Sequence, residues 1–442
     1  MTLSVAIALP QEALPPAPLS ALLILTRDPR GRMSGRKMVL RTIVDSLQAL
    51  GHRVVVAHFG PAEGPERDGG LRYVALPEAP GWRRALSCAR ALAFGRRSVN
   101  EALYRSAAAE RLLAGLVEAD DFDLVVSDMA RTADYAARTG LPWIADLDDL
   151  LSKRYRLMAA SDTSAQNLLG YYRAPGLRWL GRLLARLQPV LLRREARLLA
   201  RREDEIARQA DLVSLVSPTE AAELALRTGR RVAATPMAVP GPSRLPPLRD
   251  RPHELVFLGG MDYGPNLNSV RQFDRTIRPA LVAIGLGEVG LHVIGHAEPE
   301  HRRGLSPAVT FRGYVGDLDA ALRVYRAMLV PEVAPGGIKT KIVTAALNGA
   351  LTLCHRTALD GMGLTDGREV LAWSDAAELA ELIAALRQGR IAVEPMAVAA
   401  HRWATETFGE ARLRQIWAAN LATCLDAADG APPAAAARMV RR

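Results

Sequence analysis

The chain has 442 residues, of which 49% are hydrophobic and 24% are charged, and its formal net charge at pH 7 is +10. This composition excludes a generally disordered chain, and the length allows two domains with full hydrophobic cores. The positive charge favours an anionic partner, either a phosphate-bearing substrate or an acidic membrane surface. Nucleic acid is the least favoured partner, because few aromatic residues lie near the basic runs and no nucleic-acid-binding motif is found.

The first 20 residues contain a short apolar run followed by several prolines and no basic residue. We expect a flexible leader here rather than a secretion signal. The three cysteines, Cys88, Cys354 and Cys424, are far apart in the sequence and indicate neither a disulfide framework nor a metal site. We therefore expect a cytoplasmic protein, or one bound peripherally at the inner face of the membrane, that needs neither a metal nor another cofactor.

Apolar strands alternate with helices in residues 21–245. ALLILT begins at Ala21 and is followed by the loop RDPRGRMSGRK, a helix and the strand RVVVAHF. FDLVVSD, LPWIADLDD and DLVSLVS are further strands by their apolar runs. The pattern predicts a doubly wound first domain, in which Asp128 and Asp148 lie at the carboxyl ends of two strands.

Residues 173–208 form a strongly basic helical region that we expect Pro189 to interrupt. Arg178, Arg182 and Arg186 share one helical face, and leucines occupy another. Such a helix suits an anionic membrane surface. A solvated helical hairpin is the other interpretation, because a chain rich in arginine and alanine produces such helices readily.

A second domain is predicted for residues 246–405, after the proline-rich segment PGPSRLPPLRDRP. Its strands are predicted to be ELVFLGG, LHVIG, VTFRGYV, AMLVPEV, ALTLCH and EVLAW. We expect residues 406–425 to form a helix that packs back toward the first domain, and residues 426–442 to be a disordered tail. The fold class is therefore α/β, with two Rossmann-like domains that face each other across a cleft, where strand ends would hold the ligand.

The segment from Pro331 to Gly367 is the most informative in the chain. Gly336 and Gly337 let the backbone turn tightly, and we expect them to lead into a helix that begins near Ile338. Free amides at a helix start suit a diphosphate. At the helical period the polar residues form one stripe that we expect to border the ligand: Gly337, Lys341, Thr344 and Asn348.

Lysine is rare in this arginine-rich chain, which contains only Lys37, Lys153, Lys339 and Lys341. Two of the four lie within this one motif, where ammonium groups would neutralise phosphate charge. The alternative is that both are ordinary solvated charges on the surface of a helix.

Eight segments follow one another in an order that is familiar from a large enzyme family. They are GRMSGRK, ALGHRVVV, IADLDDLLSKRY, SLVSPTEAAEL, FLGGMDYGPNLNSVRQF, VIGHAEP, FRGYVGDL and PEVAPGGIKTKIVTAALNG. The chain resembles the retaining glycosyltransferases of the GT-B fold, in the family 4 group, and more closely the branch found in bacterial exopolysaccharide assembly. The resemblance extends over residues 21–421.

The resemblance implies transfer of a sugar from a nucleotide diphosphate sugar, without a metal, to a carbohydrate or lipid-linked acceptor. The second domain would hold the donor. Gly259 and Gly260 would start the donor loop. The turn and helix beside the diphosphate would contain Gly336, Gly337, Lys339, Lys341 and Thr344.

The first domain would hold the acceptor. Gly35 and Arg36 would belong to a mobile loop, and Asp128 and Asp148 would lie near the reacting sugar, where one of them would orient or deprotonate the acceptor hydroxyl. Arg131 follows Asp128 closely enough to neutralise it or to bind a phosphate. The two acids can instead cap helices or pair with arginines, as acids at strand ends often do.

Family members commonly carry a glutamate at each of two positions that are Gly336 and Thr344 here, and the second glutamate often binds the ribose hydroxyls. The Thr344 hydroxyl is able to replace part of that contact. Glycosyl transfer is the leading functional interpretation. Two others stay open, a nucleotide-sugar epimerase and a non-catalytic relative that scaffolds a polysaccharide-assembly complex.

Overall fold

The computed structural model describes residues 18–31, 35–95, 97–160, 180–331 and 338–429. The chain divides into two compact units. The first unit contains the residues up to Ala238 together with those from Glu410 onward, and the second unit contains Val239–Gly409. Each unit is built on one largely parallel sheet, which confirms the predicted α/β class with two parallel-sheet domains.

The sheet of the first unit has eight strands in the order β3-β4-β2-β1-β5-β6-β7-β8, and only the β3–β4 pair is antiparallel. The central strand β1 is apolar and fully buried from Ala21 to Leu25, as expected of a parallel strand covered on both faces. The strands are β1 (Ser20–Leu25), β2 (Arg53–His58), β3 (Arg67–Asp68), β4 (Leu71–Ala75), β5 (Leu124–Asp128), β6 (Trp143–Asp148), β7 (Leu212–Leu215) and β8 (Val232–Ala234).

Helices follow most of these strands, and local sequence signals set several of their ends. Ser217 accepts a hydrogen bond from the backbone amide of Glu220, Pro218 occupies the first helical turn, and Gly229 ends the same helix in the left-handed region at φ 67°. The helices are α1 (Gly35–Ala49), α2 (Gly81–Phe94), α3 (Val99–Ala102), α4 (Ala107–Ala119), α5 (Met129–Thr139), α6 (Leu151–Ala160), α7 (Leu180–Gln209) and α8 (Pro218–Thr228).

The sheet of the second unit has six parallel strands in the order β11-β10-β9-β12-β13-β14. Its core is formed by the apolar strand residues together with Phe257, Phe273 and Trp373. The strands are β9 (His253–Leu258), β10 (Leu291–Ile294), β11 (Val309–Gly313), β12 (Tyr325–Val330), β13 (Leu351–His355) and β14 (Leu371–Trp373).

Helices of the second unit connect these parallel strands, and two further helices follow the last strand, β14. The helices are α9 (Gly264–Gln272), α10 (Arg278–Ala283), α11 (Pro299–Arg302), α12 (Leu318–Leu322), α13 (Thr340–Leu347), α14 (Ala376–Arg387) and α15 (Val393–Phe408). A π-helical segment (Phe273–Ile277) joins the helices α9 and α10, and a 3-10 turn (Arg356–Leu359) follows β13. The helix predicted to begin near Ile338 is α13, which begins two residues later, and Gly336 and Gly337 lie outside the described residues.

The long basic helix differs from its prediction, because α7 runs without a break through Pro189. A proline removes one backbone donor, and the rest of the helix retains its hydrogen bonds and its packing against α6. Residues 173–179 and the side chains of Arg182 and Arg186 are outside the described part. Among the helices of the described residues, none combines the length and apolar character that crossing a bilayer requires.

The last described helix, α16 (Glu410–Asp429), belongs to the first unit. It packs against α1 and β7, and Asn420 donates a hydrogen bond through Nδ2 to Oγ1 of Thr235 at 2.9 Å. The helix extends four residues into the segment that was predicted to be a disordered tail from residue 426. A helical period continued through ATCLDAAD accounts for this extension.

Candidate functional site

A buried cluster of one arginine and three aspartates lies at the carboxyl ends of β5 and β6. Arg36 donates to Oδ1 of Asp128 from Nε at 3.0 Å and also from Nη2. The same Nη2 donates to Oδ2 of Asp146 at 2.8 Å, and Nη1 lies 3.2 Å from Oδ1 of Asp148. One guanidinium therefore holds together three acids that come from two neighbouring strands.

Burial and the shared guanidinium shift the pKa values of Asp128 and Asp146 in opposite directions. Burial penalises the Asp128 carboxylate, but Arg36 and the hydrogen bonds donated by Thr26 outweigh it and hold the pKa of Asp128 below its usual range. Burial raises the pKa of Asp146 to about 6, and the nearby Asp148 carboxylate adds to this effect. Asp146 therefore carries less of its charge at neutral pH than an exposed aspartate would.

Asp148 is the member of the cluster that solvent reaches. Its side chain is 18% exposed, whereas the side chains of Asp128 and Asp146 are 0% and 2% exposed. The backbone of Asp148 has φ 66°, and the register between β6 and β7 shifts between Asp146 and Asp148. A left-handed aspartate at a β-bulge is a costly arrangement that is found mostly where a side chain is aimed at a functional site.

Two assignments in the first unit need correction. Arg131 does not pair with Asp128, since its guanidinium donates to Oδ1 of Asn100 at 2.6 and 3.1 Å and lies over the ring of Tyr104. Arg36 neutralises Asp128 instead. Gly35 and Arg36 were expected in a mobile loop, but they are the first two residues of α1, and the three aspartates fix the arginine there.

A glycine loop follows β9 in the second unit. Gly259 has φ 152°, and a Cβ atom at this position would lie 2.5 Å from Nδ2 of Asn266. The Gly259 amide donates to the carbonyl of Ile294 at 2.9 Å, which ties this loop to the end of β10. Only glycine combines this backbone conformation with such close packing. Gly260 follows, and its carbonyl accepts a hydrogen bond from Nδ2 of Asn266 at 2.8 Å.

Lys341 is connected to this loop through Asn266. Its Nζ donates to Oδ1 of Asn266 at 2.7 Å and lies 4.1 Å from the centre of the Phe257 ring. No carboxylate among the described residues lies within ion-pair distance of this ammonium group. Burial lowers the pKa of Lys341 to about 7. The alternative interpretation, in which Lys341 is an ordinary solvated charge on a helix surface, therefore does not fit the structure.

The other residues of this motif that were predicted to border the sugar donor lie at or within α13. Lys339 immediately precedes α13, where its amide contacts Sδ of Met362 at 3.4 Å. Thr344 is buried, and so is Asn348, whose Nδ2 donates to Oδ1 of Asp319 at 2.9 Å. Two residues of the predicted polar stripe, Thr344 and Asn348, are therefore packed inside the unit. Lys341 is the charged residue of the stripe.

Two residues of these sites were missed at the sequence level. Asp146 precedes Asp148 by two positions on β6 and lies opposite Asp128 in the sheet register, so strand periodicity could have indicated it. Asn266 lies in the first turn of α9, in the segment GPNLN. No local sequence pattern links a polar residue at this position to a lysine 75 positions later.

Two glycosyltransferase family descriptions match the chain one after the other. Residues 34–240 match the glycosyl transferase 4-like domain, and residues 252–388 match the glycosyl transferases group 1. Together these segments cover most of the chain and correspond to its two compact units. No curated protein matches the chain closely enough in sequence to count as a relative.

Solved structures resemble the chain in fold at low sequence identity. HepE of Anabaena, crystallised with UDP and glucose, is 15% identical with a TM-score of 0.58 over 91% of this chain and 99% of that one. Sucrose-phosphate synthase of Thermosynechococcus elongatus is 14% identical with a TM-score of 0.60 over 92% and 100%. WaaG, a glycosyltransferase involved in lipopolysaccharide biosynthesis, is 15% identical with a TM-score of 0.52 over 90% and 98%. The chain therefore has the GT-B fold, with a glycosyl transferase 4-like domain in its first unit and a glycosyl transferases group 1 domain in its second.

Proposed function

We propose that the protein transfers a sugar, with retention of configuration, from a uridine diphosphate sugar to a hydroxyl group of a carbohydrate or lipid-linked acceptor. The second unit binds the donor through Lys341, Lys339 and the loop at Gly259 and Gly260. The first unit binds the acceptor beside Asp148. UDP is the proposed nucleotide because HepE, a structural neighbour, was crystallised with UDP and with UDP-glucose.

The single observation that carries the proposal is the Lys341 ammonium group. It is held against a neutral amide and an aromatic ring, and burial lowers its pKa to about 7. A protein that only needed to fold would gain by replacing such a group with an apolar side chain. Because no described carboxylate pairs with this ammonium group, a diphosphate would supply the negative charge, and the pKa of the lysine would rise when it binds.

The chemistry proposed for the donor site is neutralisation of a leaving group. The bond between the sugar and the diphosphate breaks, and the negative charge that develops on the diphosphate is met by Lys341 and Lys339. No metal is required in this scheme because the ammonium groups provide the positive charge. Retention follows the family resemblance and needs no nucleophile from the protein.

The acceptor hydroxyl must lose a proton as the new glycosidic bond forms. Asp148 is the proposed general base that orients this hydroxyl and accepts its proton, because it is the most exposed member of the aspartate cluster and its backbone is strained. Asp128 and Asp146 act through Arg36, which they hold in place against Asp148. They are positioning residues in this scheme, and Arg131 has no part in it.

Exopolysaccharide or cell-surface glycan synthesis is the proposed setting, by the resemblance of the motifs and by the lipopolysaccharide role stated for WaaG. A cytoplasmic location fits three cysteines that are all free, two of them buried.

The proposal is tested by offering a panel of nucleotide sugars together with lipid-linked and free saccharide acceptors, with and without a chelator. Transfer from a UDP-sugar that resists the chelator, with the α-anomeric donor giving an α-linked product, is the expected result. Product of inverted configuration would refute retention. An isomerised nucleotide sugar formed without acceptor would identify an epimerase instead.

Thr344 favours one competing function, a non-catalytic scaffold, because it stands where relatives commonly place the glutamate that binds ribose. Calorimetric titration separates the two interpretations. A catalytic donor site must bind UDP, whereas a scaffold that has lost its donor site is expected to bind none of the uridine, guanosine and adenosine diphosphates.

A further inference from the structure

Helix α2 of the first unit presents its apolar side chains to the outside. Trp82 is 65% exposed, Leu86 is 50% exposed and Leu92 is 44% exposed. Ala91, on the opposite side of the helix, is buried. A surface helix of a globular protein normally has the reverse arrangement, with its apolar stripe toward the core. An exposed apolar surface of this kind therefore indicates an interaction site.

The exposed residues are contiguous on the helix. At 100° per residue, Trp82, Leu86 and Leu92 fall within about 120° of one another, and the small residues Ala85, Ala89 and Ala93 lie between them. Arg83 and Arg90 border this arc on one side, and both are exposed. We call this surface, made of Trp82, Leu86, Leu92, Arg83 and Arg90, the outer face of α2.

The charge of the outer face has one sign. The sequence of α2, GWRRALSCARALAF, contains three arginines and no acid. The guanidinium of Arg83 lies 5.0 Å from the centre of the Trp82 ring, so cationic and aromatic groups are adjacent. Where the structure describes both partners, Arg84, on the inner side, is the one arginine of α2 that pairs with an acid, Glu78.

Helix α7 contacts α2 and has exposed apolar and basic residues of its own. Arg194 anchors α7 to α2, since its Nη2 donates to the carbonyls of Ala91 and Gly95 at 2.9 and 3.1 Å. Beside this anchor, Val190 is 58% exposed, and Arg193 and Arg197 are exposed as well. Both helices of this pair therefore expose apolar and cationic side chains.

We propose that the outer face of α2 docks onto an anionic lipid bilayer, with Trp82 and Leu86 inserted at the headgroup level and Arg83 and Arg90 against lipid phosphates. Tryptophan prefers the membrane interface, and arginines that border an apolar arc are the signature of a helix lying in the plane of that interface. This inference moves the main membrane contact from the basic helical region at residues 173–208, where the sequence placed it, to the earlier helix α2.

Charge complementarity selects the bilayer over a second copy of the chain. A symmetric dimer through this face would bring the arginines of α2 and α7 close to their own counterparts, and neither α2 nor the exposed part of α7 next to it supplies acids to offset the repulsion. An anionic bilayer offers negative charge and an apolar layer at the same depth.

Hydrogen bonds connect α7, which contacts α2, with the start of α5, the helix that follows β5. Glu195, the residue after Arg194, accepts from the amide of Val99 at 2.9 Å, and the neighbouring Asn100 accepts from Arg131 at the start of α5.

The docking proposal does not depend on glycosyl transfer, and it is tested without any substrate. Failure of one proposal therefore leaves the other intact.

The test is co-sedimentation of the full chain with vesicles of phosphatidylcholine alone, or of phosphatidylcholine with about one third phosphatidylglycerol. Binding to the anionic vesicles that weakens in high salt is expected. The double variant R83E and R90E should bind at least about 25-fold more weakly, at about fivefold for each arginine removed from the surface. The double variant W82S and L86S should lose binding even at low salt.

A matched control is available on α8 and the loop after it. Leu226 is 88% exposed, and Arg230 and Arg231 are exposed, so L226S and the pair R230E and R231E make the same chemical changes elsewhere in the first unit. The control variants should bind as the wild type does. Equal loss of vesicle binding in both sets of variants would show an effect of net charge alone and would overturn the proposal. Absence of vesicle binding, together with salt-resistant dimerisation that W82S and L86S abolish, would also overturn it.

Discussion

Replacing Lys341 by methionine removes the buried ammonium group and keeps an unbranched side chain of similar length. We expect UDP to bind the variant much more weakly than it binds the wild type. A hydrogen bond to a charged group contributes about 1.5 to 3 kcal/mol. At 1.4 kcal/mol for each factor of ten, the affinity for UDP should fall by about 10-fold to 150-fold.

The same replacement should make the protein more stable without ligand. The pKa of Lys341 falls from 10.5 to about 7 on folding, and each unit corresponds to about 1.4 kcal/mol. The unfolded chain binds more protons between these two values, so stability rises with pH across that window, and the cost of the buried charge at neutral pH is on the order of 4 kcal/mol. Methionine removes that cost, and part of the gain is lost because Asn266 then lacks its donor.

The pH dependence of binding gives a sharper signature. In the free protein half of the Lys341 side chains have lost their proton near pH 7, whereas a bound diphosphate keeps the ammonium protonated. Each binding event above pH 7 therefore takes up a proton, and the affinity for UDP should fall by up to tenfold for each pH unit. The variant should show only the ionisation of the nucleotide's own phosphate, which is common to both proteins.

Isothermal titration of UDP between pH 6 and 9, in buffers that differ in ionisation enthalpy, measures both the affinity and the proton uptake, and urea unfolding measures stability. Lys153, a partly exposed lysine that pairs with Glu223, gives the matched control variant K153M. We expect K153M to bind UDP normally. Unchanged UDP affinity in K341M, or wild-type binding without proton uptake at pH 8, would refute the assignment of Lys341 to the diphosphate.

Four further predictions concern the first unit and the glycine loop. Arg36→Met should destabilise the protein by about 3 to 5 kcal/mol at pH 7, because it leaves the buried Asp128 carboxylate without its counterion, and urea unfolding that shows no loss would contradict this. Asp148→Asn should lower kcat at least about 100-fold, the usual contribution of a general base, while the Kd for UDP stays unchanged; loss of UDP binding instead would place Asp148 outside the acceptor site. Burial raises the pKa of Glu195 to about 7, so the folded state binds more protons between pH 4.5 and 7 and wild-type stability falls as the pH rises through that window. Glu195→Gln should therefore be more stable than the wild type at pH 8 and show little difference at pH 4.5 in thermal unfolding, and the opposite trend would contradict this sign. Gly259→Ala should disturb Asn266 and weaken UDP binding, whereas Gly285→Ala, at a left-handed position with open space around it, is the control for backbone strain alone.

Much of the architecture follows from the sequence because its signals are local. Apolar runs such as ALLILT and FDLVVSD need only their own neighbours to be recognised as buried parallel strands, and they alternate with helices of period 3.6. The carboxyl end of each strand then follows from the topology, so Asp128, Asp148 and the loop at Gly259 could be placed at sheet edges. The rarity of lysine singled out Lys341 in the same way.

Only the tertiary structure decided what these residues do to one another. Arg36 meets Asp128 and Asp146 across 92 and 110 positions of sequence, and no local pattern favours that partner over Arg131, which is three residues from Asp128. The β-bulge that exposes Asp148 and the burial that lowers the pKa of Lys341 are likewise products of packing. Spacing along a chain determines which face of a helix or strand a residue occupies, whereas the partner and the dielectric surroundings of its charge depend on segments that folding brings together.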